Sequence, residues 1–159
     1  MSPRRLLTGS IALVAAASWA ALLVAQWPRY PVGLRFVSEA GGSLGAHAMV
    51  TSTLLMAAAG LLLVLPMALS SIAVMAGAGS SITHLRRLST AGAVVSGGVV
   101  VTFGLAIVPA ASSTSGVLLG TGALLDLLGA ANLLILFLVA ASLARSIPKD
   151  ALLSQIPAA

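Results

Sequence analysis

Asp126 is the residue in this chain best placed to do chemistry. It falls inside an apolar run from about Val117 to Leu143, which puts a carboxylate near the middle of a helix suited to lipid. An ionised acid at such a depth costs about 2.5–3.5 kcal/mol on insertion scales, so an intramembrane acid needs a reason to be there. Gly122 lies four residues before it and Gly129 three after. On a helix these share its face and would let a neighbouring helix come close. Two readings are open. The acid could serve as a proton or cation relay, or pair with a base on a partner subunit. Alternatively it is a protonated carboxyl hydrogen-bonded to Ser96, Thr102 or a backbone carbonyl.

The only imidazoles are His47 and His84. A haem held between two histidines needs both at one depth and facing each other. Four spans would place them at opposite membrane faces, whereas five would bring them to the same side. His84, beside Arg86 and Arg87, also suits a cluster that contacts lipid headgroups. No cofactor is expected within this chain. Met49, Met56, Met67 and Met75 form no repeated Met-x-x-Met pair and read as packing residues. There is no cysteine, which removes disulfides, thiolate metal sites and thiol nucleophiles together. No Ser/His/Asp set, paired carboxylates, metal-ligand cluster or phosphate-cradling loop is evident. The chain is not expected to be an enzyme.

The elements that must position these residues belong in a membrane. From Ala40 to Thr83 the chain runs 44 positions without Asp, Glu, Lys or Arg. Hydrophobic residues make up 59% and charged ones 7%, and the mean hydropathy is +1.12; these values belong to a protein solvated by lipid. The net charge of +5 comes from eight Lys/Arg against three acids, scattered in pairs near helix ends. They read as topology signals, not as a nucleic-acid surface.

About 20 apolar residues are needed to cross the hydrocarbon core. The first run, about 6–26, follows Arg4 and Arg5 and is too long for a signal-peptide h-region, so it reads as a membrane anchor. It is closed by Trp27, Pro28, Arg29 and Tyr30, an aromatic and proline exit at headgroup level. An external loop then covers Trp27–Gly45. Further spans are expected at about 44–66, 88–108 and 117–143, with the second kinked at Pro66 and an interfacial segment at about 67–87. A five-span alternative places a hairpin near Pro66. The fold expected is therefore an all-α transmembrane bundle of four helices in a single domain, 1–159. Both termini are expected in the cytoplasm of a multi-pass cell-membrane protein.

The stretch Tyr30-Pro31-Val32-Gly33-Leu34-Arg35-Phe36-Val37-Ser38-Glu39-Ala40-Gly41 resembles the signature of a prokaryotic multi-spanning membrane family of unknown function. In that family a Tyr is followed, about six residues on, by a β-branched residue and Ser-Glu-Leu-Gly. The family is distantly similar to eukaryotic membrane proteins of the autophagy-modulator (DRAM) type. The resemblance rests on Tyr30, Ser38 and Glu39 and covers about a dozen residues. It implies an external motif after the first helix and a cytoplasmic N-terminus, but no activity. Ala40 stands where the family has Leu, the last spans of typical members are missing, and no external histidine-bearing segment follows Pro109.

Small residues supply the remaining pattern. Gly116 and Gly120 form G-x-x-x-G, and Gly92 and Ser96 a small-xxx-small pair; such faces let helix backbones meet in lipid. They could pack this bundle or dock onto another membrane protein. The function expected is a non-catalytic accessory or structural subunit of a larger membrane complex, such as a respiratory one. Its partners would be the bilayer and other membrane subunits, or further copies of itself, with no nucleic acid. Alternatives are a small transporter or ion-conducting oligomer using Asp126, and a haem or quinone site shared with a partner.

Overall fold

The computed structural model describes residues 3–38, 44–112 and 121–147. All the regular structure in them is helical. α1 spans Pro3–Gln26 and passes through a single 3-10 turn, Trp27–Arg29, into α2, Tyr30–Ser38. α3 runs Leu44–Met75, α4 Ser80–Ser112 and α5 Thr121–Arg145. Four of these stretches are long and apolar enough to cross a membrane: Pro3–Ser38, Leu44–Met75, Ser80–Ala106 and Leu124–Arg145. The long helices alternate in direction and close into a ring. α1 packs on α3, α3 on α4, α4 on α5, and α5 back on α1.

Apolar side chains cannot drive this closure, because lipid tails are as apolar as leucine; close packing must do it. The contact layer shows how. Trp19 of α1 and Phe137 of α5 are fully buried and meet edge to face, their ring centroids 5.3 Å apart. Each ring presses on a glycine of a third or fourth helix. A Cβ at Gly60 of α3 would lie 2.7 Å from the Trp19 indole nitrogen, and one at Gly92 of α4 would lie 2.7 Å from the Phe137 ring. Missing side chains on two helices thus admit the large rings of the other two, and one layer ties all four together. A third socket, Gly129 of α5, receives Leu22 of α1, where a Cβ would stand 2.8 Å from a leucine methyl. Toward the chain's start, Gly9 brings α1 against the Ser71 carbonyl and Met75 of α3.

Outside the ring the surface stays apolar. Leu61, Leu62 and Leu65 on α3, Val94 and Val101 on α4, and Leu128 and Ile135 on α5 are all more than half exposed. An apolar exterior around a closely packed centre is the arrangement lipid stabilises.

Two expectations need correction. No interfacial segment separates the second and third spans. α3 continues through Pro66 for nine more residues to Met75, and α4 begins at Ser80. Met67, Ser71 and Val74 of α3 and Ile82 and Leu85 of α4 are buried, so the stretch at 67–87 belongs to the packed bundle. Proline removes one backbone bond, but neighbouring helices let a membrane helix tolerate it. The reversal lies instead at Ala76–Gly79. Gly77 has φ +99°; its N–H donates to the Val74 carbonyl, and the Ala78 N–H to the Ala73 carbonyl. That pairing is a Schellman ending, which calls for glycine at the left-handed position. The buried Arg5 donates to the Gly77 carbonyl at 3.2 Å, a cation at the negative end of α3.

The second correction concerns 30–38, expected as loop and found as helix. Pro31 occupies the first turn of α2, where its missing N–H costs nothing and its fixed φ suits the helix. α2 lies along the start of α3, with Gly33 against Val50 and Leu54 and Phe36 stacked 4.8 Å from His47.

The socket account makes a direct demand. Gly92→Ala should lower the stability of the detergent-solubilised protein by about 1–3 kcal/mol through overpacking, read as a lower midpoint of thermal unfolding. Adding Phe137→Leu should recover part of the loss; additive losses would mean the two side chains do not meet.

Candidate functional site

The site forms where α1 ends and α5 begins. Gln26, the last residue of α1, is 2% exposed and donates its side-chain amide to one oxygen of Asp126 at 2.5 Å. Thr53 of α3 donates its hydroxyl toward the other carboxylate oxygen at 3.3 Å and also reaches the Met49 carbonyl at 3.1 Å. Tyr30, opening α2, donates its hydroxyl to the Gln26 side-chain oxygen at 3.2 Å. Arg29, in the turn between, is close enough to act on the carboxylate electrostatically. One acid therefore gathers donors from α1 and α3, and through Gln26 it reaches α2.

This placement revises the depth expected for Asp126. It stands in the second turn of α5 as described, level with the end of α1, and not at mid-helix. From Asp126 to Arg145 is about 28 Å of helix, and from Arg5 to Arg29 about 36 Å, at 1.5 Å per residue. These lengths bracket the roughly 30 Å hydrocarbon thickness, so Asp126 and Arg29 lie at one edge of the charge-free slab. Arg5, Arg86, Arg87 and Arg145 lie beyond the ring layer on the other side. An acid at that depth escapes most of the mid-membrane penalty. Its partners also differ from those expected. Ser96 is buried with no partner for its hydroxyl among the described residues, and Thr102 donates to its own helix at the Gly98 carbonyl.

His47, near the start of α3, and His84, near the start of α4, fall at opposite ends of the bundle, as four spans require. His47 packs on Phe36 and His84 is exposed. No group of three or more His, Cys, Asp or Glu that could hold a metal occurs among the described residues. Gly92 and Gly129 line internal sockets, and Gly122 lies in the first turn of α5. Gly116, Gly120 and Glu39 lie outside the described residues. Tyr30 and Ser38 begin and end α2; Ser38 donates to the Arg35 carbonyl.

Gln26 and Thr53 were not picked out by sequence. Gln26 carried a signal in hindsight: an amide closing an apolar helix must find a partner. Nothing in the sequence named Asp126, 100 residues away, as that partner.

The arrangement can hold helices together, because both carboxylate oxygens accept from donors on other helices. No family model, no curated protein and no solved structure matches this chain. The resemblance of residues 30–41 therefore stands on those residues alone.

If Asp126 fastens this end of the bundle, Gln26→Leu should cost about 1–3 kcal/mol, since it strands an acceptor in a half-buried site. Thr53→Val should cost less. Thermal unfolding in a mild detergent measures both, and an unchanged midpoint for Gln26→Leu would contradict the role.

Proposed function

We propose that this chain is a non-catalytic accessory subunit that packs laterally against other membrane proteins. One contrast carries the reading. The inward glycines Gly60, Gly92 and Gly129 are filled by side chains of this chain, whereas among the described residues nothing would lie within 4 Å of a Cβ at Gly98 or Gly104 of α4. Gly98 lies on the exposed side of α4 between Val94 and Val101. Bare backbone on a lipid-facing helix is where a second helix can approach most closely, and close approach is the main attraction available in lipid. The engagement of both Asp126 oxygens supports a fastening role for that residue over service as a relay.

The gathering of Arg4, Arg5, Arg86, Arg87 and Arg145 at the end where α1 starts and α5 finishes supports a cytoplasmic location for that end, by the excess of Lys and Arg in cytoplasmic segments. Cell membrane is the compartment we propose. Because the chain lacks cysteine, Ser38→Cys should react with an impermeant maleimide in intact cells, and Ser146→Cys only after permeabilisation. The reverse pattern would invert the topology.

Gentle extraction with a tagged chain tests the subunit reading. The protein should migrate above its own 15.7 kDa plus detergent and bring a membrane partner in fixed ratio. Gly98→Leu should reduce that recovery severalfold while leaving the unfolding midpoint in place. A lone chain at its own mass would overturn the proposal.

A further inference from the structure

α2 presents a surface that the ring does not use. Tyr30, Gly33 and Phe36 turn toward the bundle, while Pro31, Val32, Leu34, Arg35, Val37 and Ser38 are exposed. Val32 is 67% and Leu34 60% exposed, and Trp27 in the preceding turn is 63% exposed. Arg29 and Arg35 are exposed too. Neither guanidinium enters a hydrogen bond or ion pair among the described residues, although Arg29 acts on Asp126 from a distance.

Depth decides what faces this surface. The stretch from Arg5 to Arg29 already fills the hydrocarbon thickness, so α2 begins at the membrane edge and continues outward. Its contacts with Val50, Leu54 and His47 hold it along the outer turns of α3. A layer several ångströms deep of phosphate and glycerol lies at this level on each side of a bilayer. Water alone would leave Val32, Leu34 and Trp27 unfavourably exposed, and hydrocarbon alone would strand two cations. The headgroup layer accommodates both, because indole and aliphatic groups can dip toward the acyl chains while guanidinium groups meet phosphate in a forked geometry.

We propose that Trp27, Arg29, Val32, Leu34 and Arg35 form a binding surface for the phosphate headgroups of anionic lipids in the leaflet next to Asp126. The surface anchors the end of α1 at a fixed depth and selects anionic over zwitterionic lipid. It does not depend on the subunit reading, since it lies on α2 and not on the outer face of α4.

The full-length chain, reconstituted into phosphatidylcholine vesicles containing about a third phosphatidylglycerol, tests this. The chain has two tryptophans, and Trp19 is buried in the bundle. Lipid carrying a headgroup spin label should therefore quench Trp27 more than lipid labelled at the chain centre. Trp27→Phe should remove the quenched fraction and leave the Trp19 emission. In native mass spectrometry the chain should retain phosphatidylglycerol in preference to phosphatidylcholine. Arg29→Gln with Arg35→Gln should weaken that preference by about fivefold per arginine. Arg86→Gln with Arg87→Gln, at the opposite end, serves as the charge-matched control and should leave most of it. Equal retention in the α2 double variant would overturn the proposal. So would quenching of Trp27 by aqueous iodide without quenching by headgroup label, because the face would then meet water or a protein.

Discussion

The bundle depends on two places where backbone stands bare. Gly60 and Gly92 leave room for the rings of Trp19 and Phe137, and the edge-to-face pair they admit touches all four long helices. In water, burial of such rings would be strongly favoured whatever their neighbours. In lipid that contribution largely vanishes, because the rings would be surrounded by apolar matter either way. What remains is complementarity of shape, and a methyl group at either glycine is enough to spoil it. The other sockets follow the same logic at different depths. Gly9 sets the approach of α1 and α3 near Arg5, and Gly129 that of α5 and α1 below Asp126.

Polar groups complete the account at the two edges of the slab. At one, Arg5 closes the α3–α4 reversal by donating to the Gly77 carbonyl, so the first helix holds down a turn more than 70 residues away. At the other, Asp126 collects donors from α1 and α3. Among the described residues, positions 6–28, all of α3, positions 88–112 of α4 and positions 127–144 of α5 carry no charged side chain. The protein thus keeps its strongest interactions where some water and headgroup remain available, and leaves its centre to van der Waals contact. α2 extends the same pattern outward, carrying arginine and tryptophan into the layer where both are tolerated.

Much of this was legible in the sequence, and the reasons differ from element to element. The four apolar runs announce themselves because lipid imposes a length on each. Gly92 and Gly129 could be picked out as packing positions because small residues in lipid-embedded helices have few other uses. The ring that fills each socket could not, since any large residue on another helix would serve as well. Pro66 misled because the cost of proline is judged against helices in water, whereas this one continues through it. The actual turn carried the better signal in Gly77 and Gly79, but glycine inside an apolar chain also marks close packing, and the two meanings look alike. The stretch of α2 reads as loop because Trp-Pro-Arg-Tyr-Pro marks a membrane exit; a second helix starting at the same prolines is an equally lawful continuation. The sequence places Asp126 deeper because the run from Val117 to Leu143 reads as a span centred near it, whereas α5 as described is Thr121–Arg145. Its partner Gln26 fixes the level of the acid, and that contact exists only in the fold.

The account rests on a lipid-facing slab bounded by arginines at one edge and by Arg29 and Asp126 at the other. Spin labels introduced singly into this cysteine-free chain, after reconstitution, measure it most directly through collision with oxygen and with a water-soluble nickel chelate. Labels at Leu62 and Leu65 should show high oxygen and negligible nickel accessibility, and labels at Ser38 and Ser146 should be reached by nickel. Nickel access at Leu62 and Leu65 equal to that at Ser146 would mean that water surrounds α3, and would contradict the account.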